Sequence, residues 1–549
     1  MDNLFESELF VKAGTFAVTG LAITGGLYVL GSSYLRSLYE KFNDELKEQG
    51  VDMDDFCTPK PNKVKIAAGH YFRMGNRVAN TTSPIALEAV KSTHVEGLYV
   101  AHAAGYKKSN ENGEDGADAA IPMDQLLPKR TSTGAIDKRS KQTIVVATIR
   151  MGFGHHRLAY SACSWALSEN YNTVFHDLIN IESEEATLIH SVDALYSKFS
   201  RLATELGGPV EKLWGMAMKQ GDADALRVAA MFANHLQPIL GAYPKDIPMI
   251  CTHQICALLA CACGFTNVVN LVVDNYPQWF LVVPKTLNCV QGPVNYQSYI
   301  RYGVDPKAMK LAGHWCPAEM VTNLEADTKR RLDNLTLPAS EKQPIRLVIP
   351  VGGAGAQKTF IVGLIKALQT LLEEGKVQVF LNAGDHTHMK AAFRECLEET
   401  KIDHVEVNDT KGVEEFASTL LKNPKTSLKP VTLFAFEEYF PAVATTDILC
   451  RCSDVLVCKP SELAFYALPK LHIRRVGDHE ADSARRACET GDGTMEARTV
   501  QDALHVLQLC CESPDLLQSM NECVLNNNSI GMYDGCKNAV SLAIKGTMA

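Results

Sequence analysis

Twice along this chain a short apolar run ends in a glycine-rich turn that opens into a helical pattern. That repeated unit restricts the fold more than any other feature. The first is Thr143-Ile-Val-Val-Ala-Thr148, followed by Gly152-Phe-Gly154-His155-His156-Arg157. The second is Ile345 to Val351, followed by Gly352-Gly353-Ala-Gly355-Ala-Gln357-Lys358. Runs that are apolar without alternation suit strands buried on both faces, and such strands belong to parallel sheets covered by helices. Further runs of this kind stand at 173–178, 248–251 and 268–273, then at 377–381, 431–434 and 455–457. Strand–helix alternation given twice predicts two α/β domains with parallel sheets.

The first such domain is expected over 143–330 and the second over 343–512, joined by a charged linker from Asn323 to Gln343. Helices are expected over 513–549. Residues 37–142 show poor periodicity, with a polar run at 107–116 and a basic one from Lys129 to Lys141, and read as an extension with a flexible loop. No residue from Ala13 to Leu35 is charged, and Lys12 and Arg36 bracket the stretch. Spanning a bilayer takes about 20 residues, so 1–36 is expected to hold a hydrophobic anchor helix. A buried or partner-packed helix, a cleaved signal or organelle-targeting segment and a surface-lying helix are the alternatives. Arg36, Lys41 and Lys47 favour a body on the cytosolic side, and an organelle is the other reducing compartment that fits.

Composition removes several classes. Lys+Arg 54 against Asp+Glu 63 gives a net −9, so no nucleic-acid surface is expected over the whole protein. The 17 Cys are scattered, often in apolar runs such as Cys256-Ala-Leu-Leu-Ala-Cys261-Ala-Cys263, and form no C-x-x-C pair. Buried thiols in a reducing compartment follow, without structural zinc. Asp52-Met-Asp54, Asp222-Ala-Asp224 and the Asp478-His-Glu480-Ala-Asp482 loop read as surface charge, so no metal is expected.

Three loops are left to carry chemistry. In the first, Gly152 and Gly154 permit a tight turn before a helix N-terminus, which offers free N–H groups to an anion. A third glycine of a dinucleotide fingerprint is absent; Arg157 stands there, and His155 and His156 suit proton transfer instead. In the second, Gly352, Gly353 and Gly355 with Gln357 can cradle phosphate oxygens, although the P-loop spacing is missing. In the third, Cys458-Lys-Pro-Ser461-Glu462, Ser461 can cap a helix, leaving a Glu462 carboxylate able to accept both hydroxyls of a ribose.

Taken in order, these loops resemble the GT-B glycosyltransferases, and above all the monogalactosyldiacylglycerol synthases and the bacterial enzyme that adds GlcNAc to lipid-linked muropeptide. Leu271-Val-Val-Asp274-Asn-Tyr-Pro-Gln-Trp-Phe280 is similar to the family's strand ending in Asp before a W-F segment. Val290-Gln-Gly-Pro-Val-Asn295 falls where the family reaches the last strand of the acceptor domain. Tyr302-Gly-Val-Asp-Pro306 and Leu311-Ala-Gly313-His-Trp-Cys-Pro317 resemble the approach to the interdomain hinge. Ser461-Glu462-Leu-Ala-Phe-Tyr-Ala-Leu-Pro469 resembles the nucleotide-sugar signature, departing at Lys459-Pro460, where the family carries a glycine-rich turn.

The resemblance spans about 143–510 and implies the GT-B fold, an α/β chain of two Rossmann-like domains facing a cleft. It implies a membrane-associated, metal-independent hexosyltransferase that moves a sugar from a nucleotide-diphosphate donor, a UDP-sugar, to a lipid or membrane-presented acceptor. It needs no further cofactor. His155 is the expected base with Asp274 second, and Gly352, Gly353, Gly355, Gln357, Ser461 and Glu462 hold the donor. Gly152, Gly154 and His156 form an acceptor or phosphate loop. An inactive GT-B-like scaffold of a membrane assembly and a GT-B-fold sugar-nucleotide epimerase fit the same loops.

Overall fold

A computed structural model describes residues 84–105, 120–132, 140–150, 152–181, 236–353 and 355–546, with scattered positions between 37 and 64 and between 137 and 229. The 13–35 stretch, and the anchor expected there, lies outside the described residues. Among those described, no helix is long and apolar enough to cross a membrane.

Two sheets organise the chain. The first holds nine strands: β1 (Leu87–Lys91), β2 (Leu98–Ala103), β3 (Ile121–Pro122), β4 (Thr143–Thr148), β5 (Asn172–Asp177), β6 (Met249–Cys251), β7 (Val268–Leu271), β8 (Leu287–Val290) and β9 (Met309–Leu311). Their order is β3-β1-β2-β5-β4-β6-β7-β8-β9, parallel from β2 to β9. The second, all parallel, holds β10 (Ile345–Pro350), β11 (Val377–Gly384), β12 (His404–Val407), β13 (Val431–Ala435), β14 (Val455–Cys458) and β15 (Lys470–His472). Its order is β12-β13-β11-β10-β14-β15. All six residues of β4 and all six of β10 are buried, as their unbroken apolar runs require.

Three expectations about organisation are corrected. The first sheet does not begin at 143. Part of the 37–142 extension supplies β1–β3: β2 lies parallel beside β5, and β1 and then β3 add antiparallel beyond it. These strands are short and half-exposed, so their alternation is too brief to stand out. The segment after Val290 does not close the first sheet either, since β9 follows β8.

Nor is the charged stretch after Asn323 a linker. It forms helix Leu324–Thr336, whose buried residues are Leu324, Asp327, Thr328 and Arg331. A buried face built largely from polar side chains leaves no apolar stripe to read. Arg331 is satisfied by Asn521 Oδ1 at 2.6 Å and Thr328 Oγ1 at 2.7 Å.

The true crossing lies earlier. Gly313 and His314 run beside the returning chain at 531–535, with His314 N–H donating to Met532 O and Gly535 N–H donating to His314 O. Gly313 has φ +102, and a Cβ there would lie 2.6 Å from Met532 O. Only glycine permits both strands of the hinge so close. The final helix, Gly535–Lys545, then packs on helix Gly154–Ser168 of the first sheet, burying Cys536, Ala539, Val540 and Ala543. The chain thus crosses between the sheets twice, at adjacent points.

Candidate active site between the two sheets

The C-terminal ends of β4 and β10 face each other, and the glycine loops that follow them touch. A Cβ on Gly353 would overlap the Phe153 backbone nitrogen, and Gly152 turns at φ +74. Glycine is therefore required at 353 by the backbone of the other domain. Phe153 is buried, its ring 5.3 Å from His386 and 5.2 Å from Tyr439 of the second domain. Arg150 reaches across as well, pairing with Asp385 at 2.9 Å and lying 3.6 Å above the Tyr439 ring.

Arg157, where a third glycine is missing, is the buried cation of this contact. Its Nε lies 3.3 Å from Glu462 Oε1 and its Nη1 3.7 Å from Asp447 Oδ1, while Nη2 donates to Thr446 Oγ1 at 3.2 Å. Burial works against the guanidinium charge, but Tyr466, Glu462 and Asp447 more than offset it and raise its pKa. Burial also pushes the Asp447 carboxyl up, to about 6, against the pull of Arg157 and a 2.6 Å hydrogen bond from the Tyr466 hydroxyl. Glu462 is thereby placed beside the first loop: a Cβ on Gly154 would sit 3.2 Å from Glu462 Oε2.

His155 and His156 part company. His155 is half-buried, with Nδ1 2.6 Å from the Thr252 carbonyl oxygen. A carbonyl only accepts, so Nδ1 carries the hydrogen and Nε2 keeps its lone pair. Burial lowers the pKa of His155, with Thr252 and Asp274 opposing it in part. The ring is therefore neutral near pH 7. Thr252 braces the turn again through its hydroxyl, which donates to His155 O at 3.0 Å and accepts from the Thr148 hydroxyl at 2.9 Å.

The reading of His156 as a phosphate-loop residue is corrected. It is 2% exposed, its Nε2 is 2.9 Å from Asp177 Oδ2, and Phe175, Tyr160 and Tyr439 surround the ring. Burial pushes Asp177 up, but His156 and the N–H groups of Ile179 and Arg150 overcome it and hold the carboxyl below its usual range. Asp274 follows β7, close enough to act electrostatically on His155, and the adjacent Asn275 donates to Asp482 O across the cleft at 3.2 Å.

On the second domain, Gly355 (φ +62) and Gln357 (φ +70) bend the loop into helix Lys358–Ala367. A positive φ is uncommon outside glycine and marks strain that surrounding structure must hold. Two histidines hold it: His386 Nε2 lies 3.1 Å from Gly352 O, and His388 Nε2 2.8 Å from Gly355 O. Gln357 Nε2 is buried without a hydrogen-bond partner in the protein.

Ser461 does not cap the short helical turn Glu462–Phe465, contrary to expectation, and its Oγ is also buried without a partner. Buried polar atoms are nearly always paired, so two unpaired ones on loops that follow neighbouring strands invite a polar ligand. Sequence reading missed Glu480, taken as surface charge. It is buried and accepts from Lys459 Nζ, Val476 N and Gly477 N. Among the described residues no three His, Cys, Asp or Glu side chains gather as a metal site.

Residues 103–301 match the model of a domain of unknown function (DUF6937), and residues 304–544 that of a second (DUF6938). No curated protein matches the chain. Solved structures similar to it include UDP-GlcNAc 2-epimerase from Neisseria meningitidis bound to UDP-GlcNAc, at 10% identity and TM-score 0.40, covering 74% of this chain and 100% of that one. Trehalose 6-phosphate synthase from Burkholderia multivorans is 13% identical at TM-score 0.37, covering 74% and 99%. A spinosyn rhamnosyltransferase complexed with thymidine diphosphate is 12% identical at TM-score 0.32, covering 73% and 99%. At such identities no residue role carries over.

Proposed function

We propose that the cleft binds a nucleotide-diphosphate sugar and that the protein is a GT-B glycosyltransferase acting on a lipid or other membrane-presented acceptor. The observation that carries this reading is the pair of unpartnered buried groups, Ser461 Oγ and Gln357 Nε2, on the two second-domain loops beside Glu462. Both loops follow parallel strands at their C-terminal ends, where open α/β sheets take their ligands. Glu462 receives the ribose hydroxyls. The loop N–H groups and the N-terminus of helix Lys358–Ala367 stabilise the charge of the diphosphate. In the transfer, the acceptor oxygen bonds the anomeric carbon while its proton passes to His155 Nε2. The bond to the diphosphate breaks, and its electron pair stays on phosphate.

Thermal stabilisation by a panel of nucleotides and nucleotide sugars tests binding, and analysis of products tests the chemistry. Release of nucleoside diphosphate that depends on an acceptor supports transfer. Isomerisation of the sugar without an acceptor reassigns the site to an epimerase, and no binding at all reassigns the protein to a scaffold. Glu462→Gln should weaken nucleotide binding by about 1–3 kcal/mol, the scale of a charged hydrogen bond. Unchanged affinity by calorimetry would remove Glu462 from the ribose.

The membrane part rests on residues 13–35. The intact chain should stay with membranes through a carbonate wash, and a chain lacking 1–36 should not; release of the intact chain sinks the anchor.

A further inference from the structure

We propose, on the basis of that nucleotide reading, that Lys459 recognises the second phosphate of a nucleoside diphosphate and that Glu480 is its counter-ion when no ligand is bound. Lys459 follows β14 and precedes Pro460-Ser461-Glu462. A loop that holds diphosphate through its backbone needs N–H groups, and Pro460 has none. The side chain before it supplies positive charge instead. Its stem lies on the other second-domain loop, since a Cβ on Gly352 would be 3.0 Å from Lys459 Cε and 3.6 Å from Cδ. The stem thus lies against the glycine loop with its ammonium on Glu480, and a turn of the flexible stem would carry that charge to an anion held by both loops.

Glu480 is built to release it. Glu480 Oε2 takes Val476 N–H at 2.7 Å and Gly477 N–H at 3.3 Å, and only Oε1 takes Lys459. The carboxylate therefore stays placed when the ammonium swings away. Burial pushes Glu480 up, but Lys459, His479 and the Val476 N–H together outweigh it and keep the carboxyl below its usual range. A lysine suits this exchange, because its charge is compact and its stem flexible, whereas an arginine fork holds a fixed geometry. The Lys459–Glu480 pair and a Lys459–phosphate pair are alternatives, so the carboxylate competes with the ligand.

The test is calorimetric titration of the full chain with the diphosphate and monophosphate of uridine, thymidine, guanosine and adenosine. For the base that binds, the wild type should prefer diphosphate over monophosphate by about tenfold or more, the scale of one charged hydrogen bond. Lys459→Met should erase most of that preference while leaving the monophosphate within about threefold. Glu480→Gln, which removes the competing charge and keeps an acceptor oxygen for Val476 and Gly477, should tighten diphosphate binding by a few-fold.

Because Lys459→Met strands a buried carboxylate, the double variant with Glu480→Gln is measured beside it. Equal losses for both nucleotides in the double variant, or weaker diphosphate binding in Glu480→Gln, would assign the pair a packing role and overturn the proposal. A wild type that binds no nucleotide overturns the nucleotide reading itself, and this proposal with it.

Discussion

Replacing His155 with alanine should lower turnover by about 10²–10⁴ while nucleotide binding persists, the range for loss of a general base. The expectation rests on the tautomer. With Nδ1–H committed to the Thr252 carbonyl at 2.6 Å, Nε2 is the nitrogen that can take a proton. Burial keeps the ring neutral, and His253, 4.4 Å away, is itself held well below the usual histidine range by burial and by His155. A base with a lowered pKa is already competent at slightly acid pH. The acid limb of kcat/KM should therefore fall below the pH at which an exposed histidine titrates. Loss of that limb in His155→Ala, together with lost turnover, would separate a base from a residue that only shapes the loop. Retained turnover would move the role to Asp274, which acts electrostatically on His155.

The same constellation marks how far the sequence can be read. Strands at 143–148, 268–271, 345–350 and 455–458 were visible because both faces are buried, which leaves an unbroken apolar run. Edge and half-exposed strands such as β1 and β12 have no such run. Glycine turns were legible as turns, but not what they meet: that Gly353 abuts Phe153 is a property of two domains brought together. Polar residues were harder still. Nothing local separates His155 from His156, yet one is braced at the cleft and the other is sealed against Asp177. Glu480 looked like one charge among several, because its burial comes from a lysine 21 residues earlier in the chain.

Arg157→Met should cost about 3–5 kcal/mol of stability, the scale for removing one partner of a buried ion pair. The guanidinium is 1% exposed and spans the two domains, so its loss strands the buried Glu462 and takes the cation from the partly buried Asp447. Against a typical folding stability of roughly 5–15 kcal/mol, that is a large fraction. The sign of the pH dependence follows from the carboxylates. Without the pull of Arg157 the Asp447 carboxyl, already pushed up by burial, rises further above its unfolded range, so the folded state binds more protons than the unfolded state. The variant should then regain stability as pH falls from 8 toward 5, the interval in which Asp447, already at about 6 beside Arg157, takes its proton. Adding Glu462→Gln and Asp447→Asn to Arg157→Met should recover most of the loss at pH 8, because both stranded charges are then gone. Urea midpoints of the wild type, the single variant and the triple variant across that pH range check the argument. A loss that is the same at pH 5 and pH 8, or one the added substitutions leave untouched, would mean that Arg157 acts through packing of its stem on Phe153 and not as the charge that joins the two domains.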